Sequence, residues 1–409
     1  MPLLDRLHNV EWTRLHHAYG PATDVPDLLR ALVDPSNAPA PLRSQAQHDR
    51  RGIAEQVEWL LWGNVFHQGT RWQVTAHVVP FLVEILTEGP QDPRLQGFLL
   101  SYLHHLAIGY PEEAFPERFD PDTAFRGLAG QVDPGGEPDY SNSIGAALWA
   151  RDSYLAVEAA IAHIAPSMCA TDASVAMEAI ALMASFPRCA SHTLPILRHL
   201  LNTRDDLTGA HALVSLVQLS GAEALAEAEA MACSHQRDVA IVAACAAVLA
   251  DPDRASARII GLLTGPLDGT ARQRSTHAGT ITTLVGRCLA RVSEAHRERA
   301  MDAIAVQHRH ASPMQRLSLT SALLGLAFRD GGVPTSASLL SAPQRRALLA
   351  IRDYGAFQIG DGIFANYSGL LKAAGLPDSA AALDDWLSRN DAVCTARQAG
   401  FADDSDARR

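Results

Sequence analysis

The sequence predicts an all-α chain, an α-solenoid of stacked antiparallel helix pairs. Apolar residues recur three and four apart over segments of 12 to 18 residues, which lays one apolar stripe along a helix. No stretch alternates apolar and polar with period two, so no sheet is expected. The breaks between segments carry helix-start chemistry. Asp-Pro occurs at Asp34-Pro35, Asp92-Pro93, Asp120-Pro121, Asp133-Pro134 and Asp251-Pro252. Asp caps the free N–H groups of a first turn, and Pro at the next position gives up an N–H that has no partner there anyway. The pairs at 120 and 133 lie among other prolines and glycines and fit turns equally well.

Residues 1–108 read as aromatic-rich helical repeats and hold Trp12, Trp59, Trp62 and Trp72. Residues 109–147 break the period with Pro111, Pro116, Pro121, Pro134, Gly135, Gly136 and Pro138 among three phenylalanines. They read as an insertion with a short helix near 121–130, and long loops inside a domain often carry function. Residues 148–330 repeat one amphipathic pattern, as in Tyr154, Val157, Ile161 and Ile164, or Ile281, Leu284, Cys288 and Val292. Helix pairs recur there at roughly 30 to 40 residues, the range of tetratricopeptide, HEAT and armadillo solenoids. From Pro187 to Ala327 there is no Phe, Tyr or Trp, so this part packs on Ala, Leu, Val and Ile with its helices close together. Residues 331–409 read as a C-terminal helical cap, interrupted from Tyr354 to Ser368 by glycines and aromatics and ending in a frayed polar tail from Ala402. The four segments are expected to form one continuous solenoid.

Composition excludes several classes. With 47% hydrophobic and 19% charged residues among 409, the chain has core material and is not disordered. The net charge of −11 opposes general binding to phosphate backbones. Met1 to Glu11 carries Asp5, Arg6 and Glu11 and no apolar run, so no signal peptide is expected, and the longest apolar run, Val239 to Ala250, has 12 residues, too few to cross a bilayer. Cys169, Cys189, Cys233, Cys245, Cys288 and Cys394 form no CxxC pair, so neither disulfides nor a zinc site are expected. The reading is a cytoplasmic protein without metal or cofactor. No GxSxG, GxxxxGK[ST], HExxH or GxGxxG motif is present, so no catalytic residue is assigned.

At both ends the residues are familiar. His16-His17-Ala18-Tyr19-Gly20, with Asp24-Val25-Pro26 and Leu28 to Leu32 after it, resembles the opening of actinobacterial HEAT-repeat proteins. So does Asn64 to Thr70, with Thr75-Ala76 and Val79-Pro80-Phe81-Leu82 following. Pro343 to Leu348, Tyr367 and Gly375-Leu376-Pro377 are similar to their end. The resemblance spans most of the chain. It implies a HEAT-type, armadillo-like solenoid, related to repeats first named from phycobilin lyases, that serves as an interaction scaffold. Some such bacterial proteins look like immunity or adaptor proteins, and a few HEAT-like proteins are enzymes. The middle departs from the usual Asp-Pro-x-Val-Arg start: Ala176 follows Val175, and Asp251-Pro252-Asp253-Arg254 lacks the Val.

Two sets of candidate residues follow. His67-Gln68-Gly69-Thr70 links two helices, and His67, Gln68 and Thr70 offer mixed donors and acceptors. With Tyr19, Trp59, Trp62, Asn64, Trp72 and His104 they are candidates to line a pocket or interface; the plain alternative is a linking turn that satisfies its own backbone. Histidines at 16, 17, 67, 77, 104 and 105 invite a metal reading, but adjacent histidines on a helix diverge. Residues 251–316 carry ten arginines against six acids, and Arg272, Arg274, Arg287, Arg291, Arg297 and Arg299 are the candidate basic patch. The expected function is a protein-binding scaffold or adaptor, in one version an acidic neutraliser of a basic effector. The alternatives are a small-molecule enzyme with a pocket near His67, Trp72 and the insertion, and nucleic-acid binding through the arginines. No aromatic is available among those arginines for base stacking.

Overall fold

Side chains at the breaks start the helices as expected at three of the five Asp-Pro pairs. In the computed structural model, Asp34, Asp92 and Asp120 accept from the N–H of Ser36, Arg94 and Asp122, each with its proline in the first turn. Asp251 instead closes a turn after a helix, accepting from the N–H of Asp253 and Arg254. Asp133 accepts from the N–H of Gly135. Ser312 and Ser341 form reciprocal capping boxes with Gln315 and Gln344.

The structure describes residues 3–40, 42–43, 52–133, 135, 143–267, 269 and 271–388. Pro134, Gly136, Pro138, Cys394 and the tail from Ala402 lie outside them. The chain forms two units, Met1–Ser220 and Gly221–Arg409. Unit 1 holds α1 (Val25–Val33), α2 (Ile53–Asn64), α3 (Gln73–Glu88), α4 (Pro93–Ile108), α5 (Pro111–Ala114), α6 (Pro121–Ala124), α7 (Ser143–Ile164), α8 (Ala173–Met183), α9 (Ala190–Thr203) and α10 (Leu207–Ser220). Unit 2 holds α11 (Leu225–Met231), α12 (Arg237–Ala250), α13 (Ala257–Thr264), α14 (Ile281–Leu289), α15 (Arg297–His308), α16 (Pro313–Ala327), α17 (Ala342–Tyr354) and α18 (Ala365–Ala373). The class is all-α, and no helix among the described residues is long and apolar enough to cross a membrane.

Within each unit, helices pack on those one to four places along the chain. In unit 1, α3 meets α4 and α7, α4 meets α7 and α8, and α10 meets α8 and α9. In unit 2, α12 meets α11, α13 and α14, and α16 meets α14, α15 and α17. The insertion is shorter in helix than expected. Gly127 and Gly130 adopt φ of 83° and 75°, which ends α6 early.

The absence of sheet is corrected on a small scale. Among the described residues four antiparallel ribbons occur: β1 (His16–His17) with β2 (Gly20–Pro21), β3 (Phe66–His67) with β4 (Thr70–Arg71), β5 (Ser275–Thr276) with β6 (Gly279–Thr280), and β7 (Gln358–Ile359) with β8 (Gly362–Ile363). All four share one register and lie at or near the start of a helix. Two residues per strand are too few to show a period of two, so the alternation test is blind to them. Each has a left-handed glycine at or beside its turn: Gly20, Gly69, Gly279 and Gly360. Gln68 and Gly69, at φ 49° and 86°, make the tight turn whose twist suits a hairpin.

One further bond closes three ribbons. The N–H of Ala22, Ile281 and Phe364 donates to the carbonyl of Leu15, Arg274 and Phe357 at 2.8, 3.0 and 3.1 Å. At the second ribbon the Thr75 hydroxyl stands in the gap. It accepts from the Trp72 N–H at 2.8 Å and donates to the Val65 carbonyl at 2.7 Å.

Candidate functional site

In unit 1 the first two ribbons come together over the C-terminal end of α2. The Ala18 N–H donates to the Asn64 carbonyl at 3.0 Å. Tyr19 Oη lies 3.3 Å from His67 Nδ1, with the two rings edge-on at 5.3 Å. Beneath them a polar network fixes the loops. The Tyr19 N–H donates to His17 Nδ1, which leaves the proton on Nε2 to donate to Asp24 Oδ1 at 3.0 Å. Asn64 Nδ2 donates to the other Asp24 oxygen at 2.7 Å. Burial raises the Asp24 carboxyl, but these hydrogen bonds and the facing histidine outweigh it and hold its pKa below the ordinary value.

The surface above this network is aromatic. Tyr19 is 69% exposed and Trp59 63% exposed. The Tyr19 ring lies near Gly63, where a Cβ would sit 4.0 Å from it. Trp59 lies one helical turn before Gly63 on the same face of α2. Gln68 is exposed at the tip of the second ribbon, and Thr70 pairs with His67 across it.

The nine expected residues therefore divide. Tyr19, Trp59, His67 and Gln68 reach one surface, and Asn64 and Thr70 support it. The other three point inward. Trp62 packs among Phe66, Tyr102 and His105, with ring centroids 5.3, 5.0 and 4.7 Å away. Trp72 is buried and stacks on Trp149. His104 is buried against Ser185, Nε2 to Oγ 2.8 Å, and burial pushes its pKa down to about 3. Among the described residues no three His, Cys, Asp or Glu side chains are arranged to hold a metal ion.

A second cluster in unit 1 carried no motif. His105 Nδ1 donates to the Ser101 carbonyl, so Nε2 faces Glu112 at 3.5 Å. Burial and the nearby Glu112 charge push the Glu178 carboxyl up, with His105 opposing. Glu112 is itself raised by burial but lowered further by its hydrogen bond to His105. Two carboxyls beside one imidazole thus have their pKa values pushed in opposite directions. Close by, Arg71 has no carboxylate partner among the described residues. Its Nη1 donates to the Gly69 carbonyl at 2.8 Å, and burial lowers its pKa. Gly109, at φ 92°, leaves room for it, because a Cβ there would stand 2.9 Å from Nη1. The signal in the sequence was indirect, since Glu112 belongs to the insertion.

The arginines of unit 2 divide too. Arg274 pairs with Asp238 at 2.9 Å. Arg287 donates to Ser318 at 3.0 Å, and Arg291 is exposed just past α14. Arg297 is held inside the fold: it donates to the last carbonyls of α16, Leu326 and Ala327, and to Glu294 and Asp330. Arg272 and Arg299 share one cleft with Asp302 and Gln307. Comparison with protein-family models, curated proteins and solved structures returned no match to this chain.

Proposed function

We propose that the protein is a binding module whose helix pairs, within each unit, stack as HEAT-type solenoid repeats, and that its ribbon surface in unit 1 takes up a basic protein partner in the cytoplasm. The observation that carries this reading is the pair of large aromatics, Tyr19 and Trp59, left more than half exposed over a hydrogen-bonded base. Aromatics over a rigid support bring contact area at little cost in conformational entropy. The net charge of −11, with the acidic Glu55 exposed one turn before Trp59, favours a basic partner. Neutralisation of a basic effector is the version that this charge supports.

The test is site-specific photo-crosslinking in the cells that make the protein, with the photoreactive residue at position 59 and, as control, at the equally exposed Leu339 of unit 2. One crosslinked protein at 59, none at 339, and loss of the product in Tyr19→Ala support the reading. Equal labelling at both positions, or a product that Tyr19→Ala leaves unchanged, overturns it. A second reading, an enzyme, rests on the opposed carboxyls Glu112 and Glu178 beside His105. It requires a turnover that Glu178→Gln abolishes without loss of fold.

A further inference from the structure

Unit 2 contains a cleft of about 350 Å³. One wall is a face of α15, where Arg299, Asp302, Ala303 and Val306 follow one another at helical spacing. The other is formed by Thr264, Pro266 and Leu267 at the end of α13 and by Arg272. The lining is apolar for the most part, and the polar groups in it are unusual in what they lack. Among the described residues neither the Arg272 nor the Arg299 guanidinium has a hydrogen bond or ion pair, in contrast to Arg274 and Arg297 nearby. Asp302, in the same lining, is paired with Arg346 at 3.3 Å. Gln307 is only 6% exposed, yet neither its Nε2 nor its Oε1 has a partner. A buried carboxamide is ordinarily bonded at both ends, and an unpaired one marks a place where a partner is missing.

The geometry points to a binding site for a small amphipathic carboxylate. The carboxylate lies between Arg272 and Arg299, which match its planar two-oxygen head. The aliphatic part lies against Leu267, Ala303 and Val306. Gln307 adds the donor that two guanidinium groups leave for a second carboxylate oxygen. A cationic ligand is opposed by both arginines. A nucleic-acid strand is opposed by the lack of any aromatic from 187 to 327 on which a base would stack.

Calorimetric titration of the full chain with octanoate, 1-octanol and inorganic phosphate tests this. Octanoate binds one molecule per chain, and octanol and phosphate each bind at least about ten-fold more weakly, since each lacks half of the recognised chemistry. Arg272→Ala and Arg299→Ala each weaken octanoate by about ten-fold or more. The Arg272 carbonyl, which accepts from Thr282 and Gln315, is untouched by that substitution, so the local turn keeps its bonds. Should either variant unfold, Val306→Trp carries the test, because Val306 is 61% exposed and the larger ring fills the cleft and blocks octanoate. No saturable octanoate binding, binding unchanged by the folded arginine variants or by Val306→Trp, or equal affinity for phosphate or octanol overturns the proposal.

Discussion

The two units use one supersecondary device, a two-residue ribbon at a helix start, on two kinds of core. Unit 1 packs on rings: Tyr154 is fully buried, stacks on Phe186 at 4.9 Å, and touches Phe119 and Phe125. Unit 2 packs α12 on a run of buried Ala, Val, Ile and Cys from Val239 to Val248. There the helices come so close that a Cβ on Gly286 would stand 2.5 Å from Leu319 Cδ2. The ribbons differ in the same sense. Those of unit 1 are tied to one another through Tyr19 and His67, whereas every residue of β7 and β8 is exposed. A large side chain both fills space and reaches outward, and unit 1 uses rings for both, Tyr154 inside and Tyr19 and Trp59 on the surface.

The largest effect expected from this contrast is at the ring cluster. Tyr154→Ala removes a fully buried ring and its bond to the Ser185 carbonyl, and stability falls by ~3–5 kcal/mol. Val242→Ala in α12, equally buried, costs about 1.5–3 kcal/mol. Urea midpoints of the two variants measure the difference, and equal losses break the contrast between the cores.

Glycine-to-alanine changes give opposite signs. Gly286→Ala drives a methyl into the buried Leu319 and costs about 1–3 kcal/mol. Gly97→Ala in α4 meets nothing within 4 Å and improves helix propensity, so stability rises by about 0.5–1 kcal/mol. Thermal denaturation of the pair checks the sign. A next step separates the ribbons: Thr75→Val leaves the Trp72 N–H and the Val65 carbonyl unpaired in a fully buried place and costs ~1–3 kcal/mol. Hydrogen exchange at Trp72 then rises while exchange at Ala22, whose N–H bonds the backbone directly, stays unchanged.

Much of the helical frame is legible in the sequence, because a helix repeats its apolar face every turn and its start needs a capping oxygen. Asp92, Asp172, Ser312 and Ser341 all cap as their residue types dictate. Direction is not legible in the same way. Trp59 and Trp62 are three apart on one helix and of one type, yet the first is exposed and the second enters an aromatic cluster, which depends on what α4 brings to that side. The contact of Tyr19 with His67 joins residues 48 apart through a ribbon turn whose trace in the sequence is a glycine. Arg272 and Arg299 read as two of ten arginines; only the fold brings them to one cleft with the buried Gln307.

The smallest expected effect sharpens the comparison through pH. Each unit buries one histidine against a hydroxyl: His104 on Ser185 in unit 1, and His308 on Thr320 in unit 2 at 2.7 Å, with Thr320 in turn 2.9 Å from Tyr367. Burial pushes them down to about 3 and about 4; the neighbouring His105 and Arg316 charges act in the same direction. With folded values below the unfolded value of about 6.5, the unfolded chain binds the extra proton as pH falls. Stability is therefore full above about pH 6.5 and declines below it. Between pH 7 and pH 6 each histidine accounts for a loss of about 0.7 kcal/mol, read as the difference from His104→Asn or His308→Asn. Over that interval the two units behave alike, because both folded values lie far below it. Below pH 6 both shares go on falling, since the unfolded chain alone takes up the proton until the lowered folded values are approached. A slope between pH 7 and pH 6 that either substitution leaves unchanged would mean that the folded histidine takes up its proton as readily as the unfolded chain does, against the burial of both side chains.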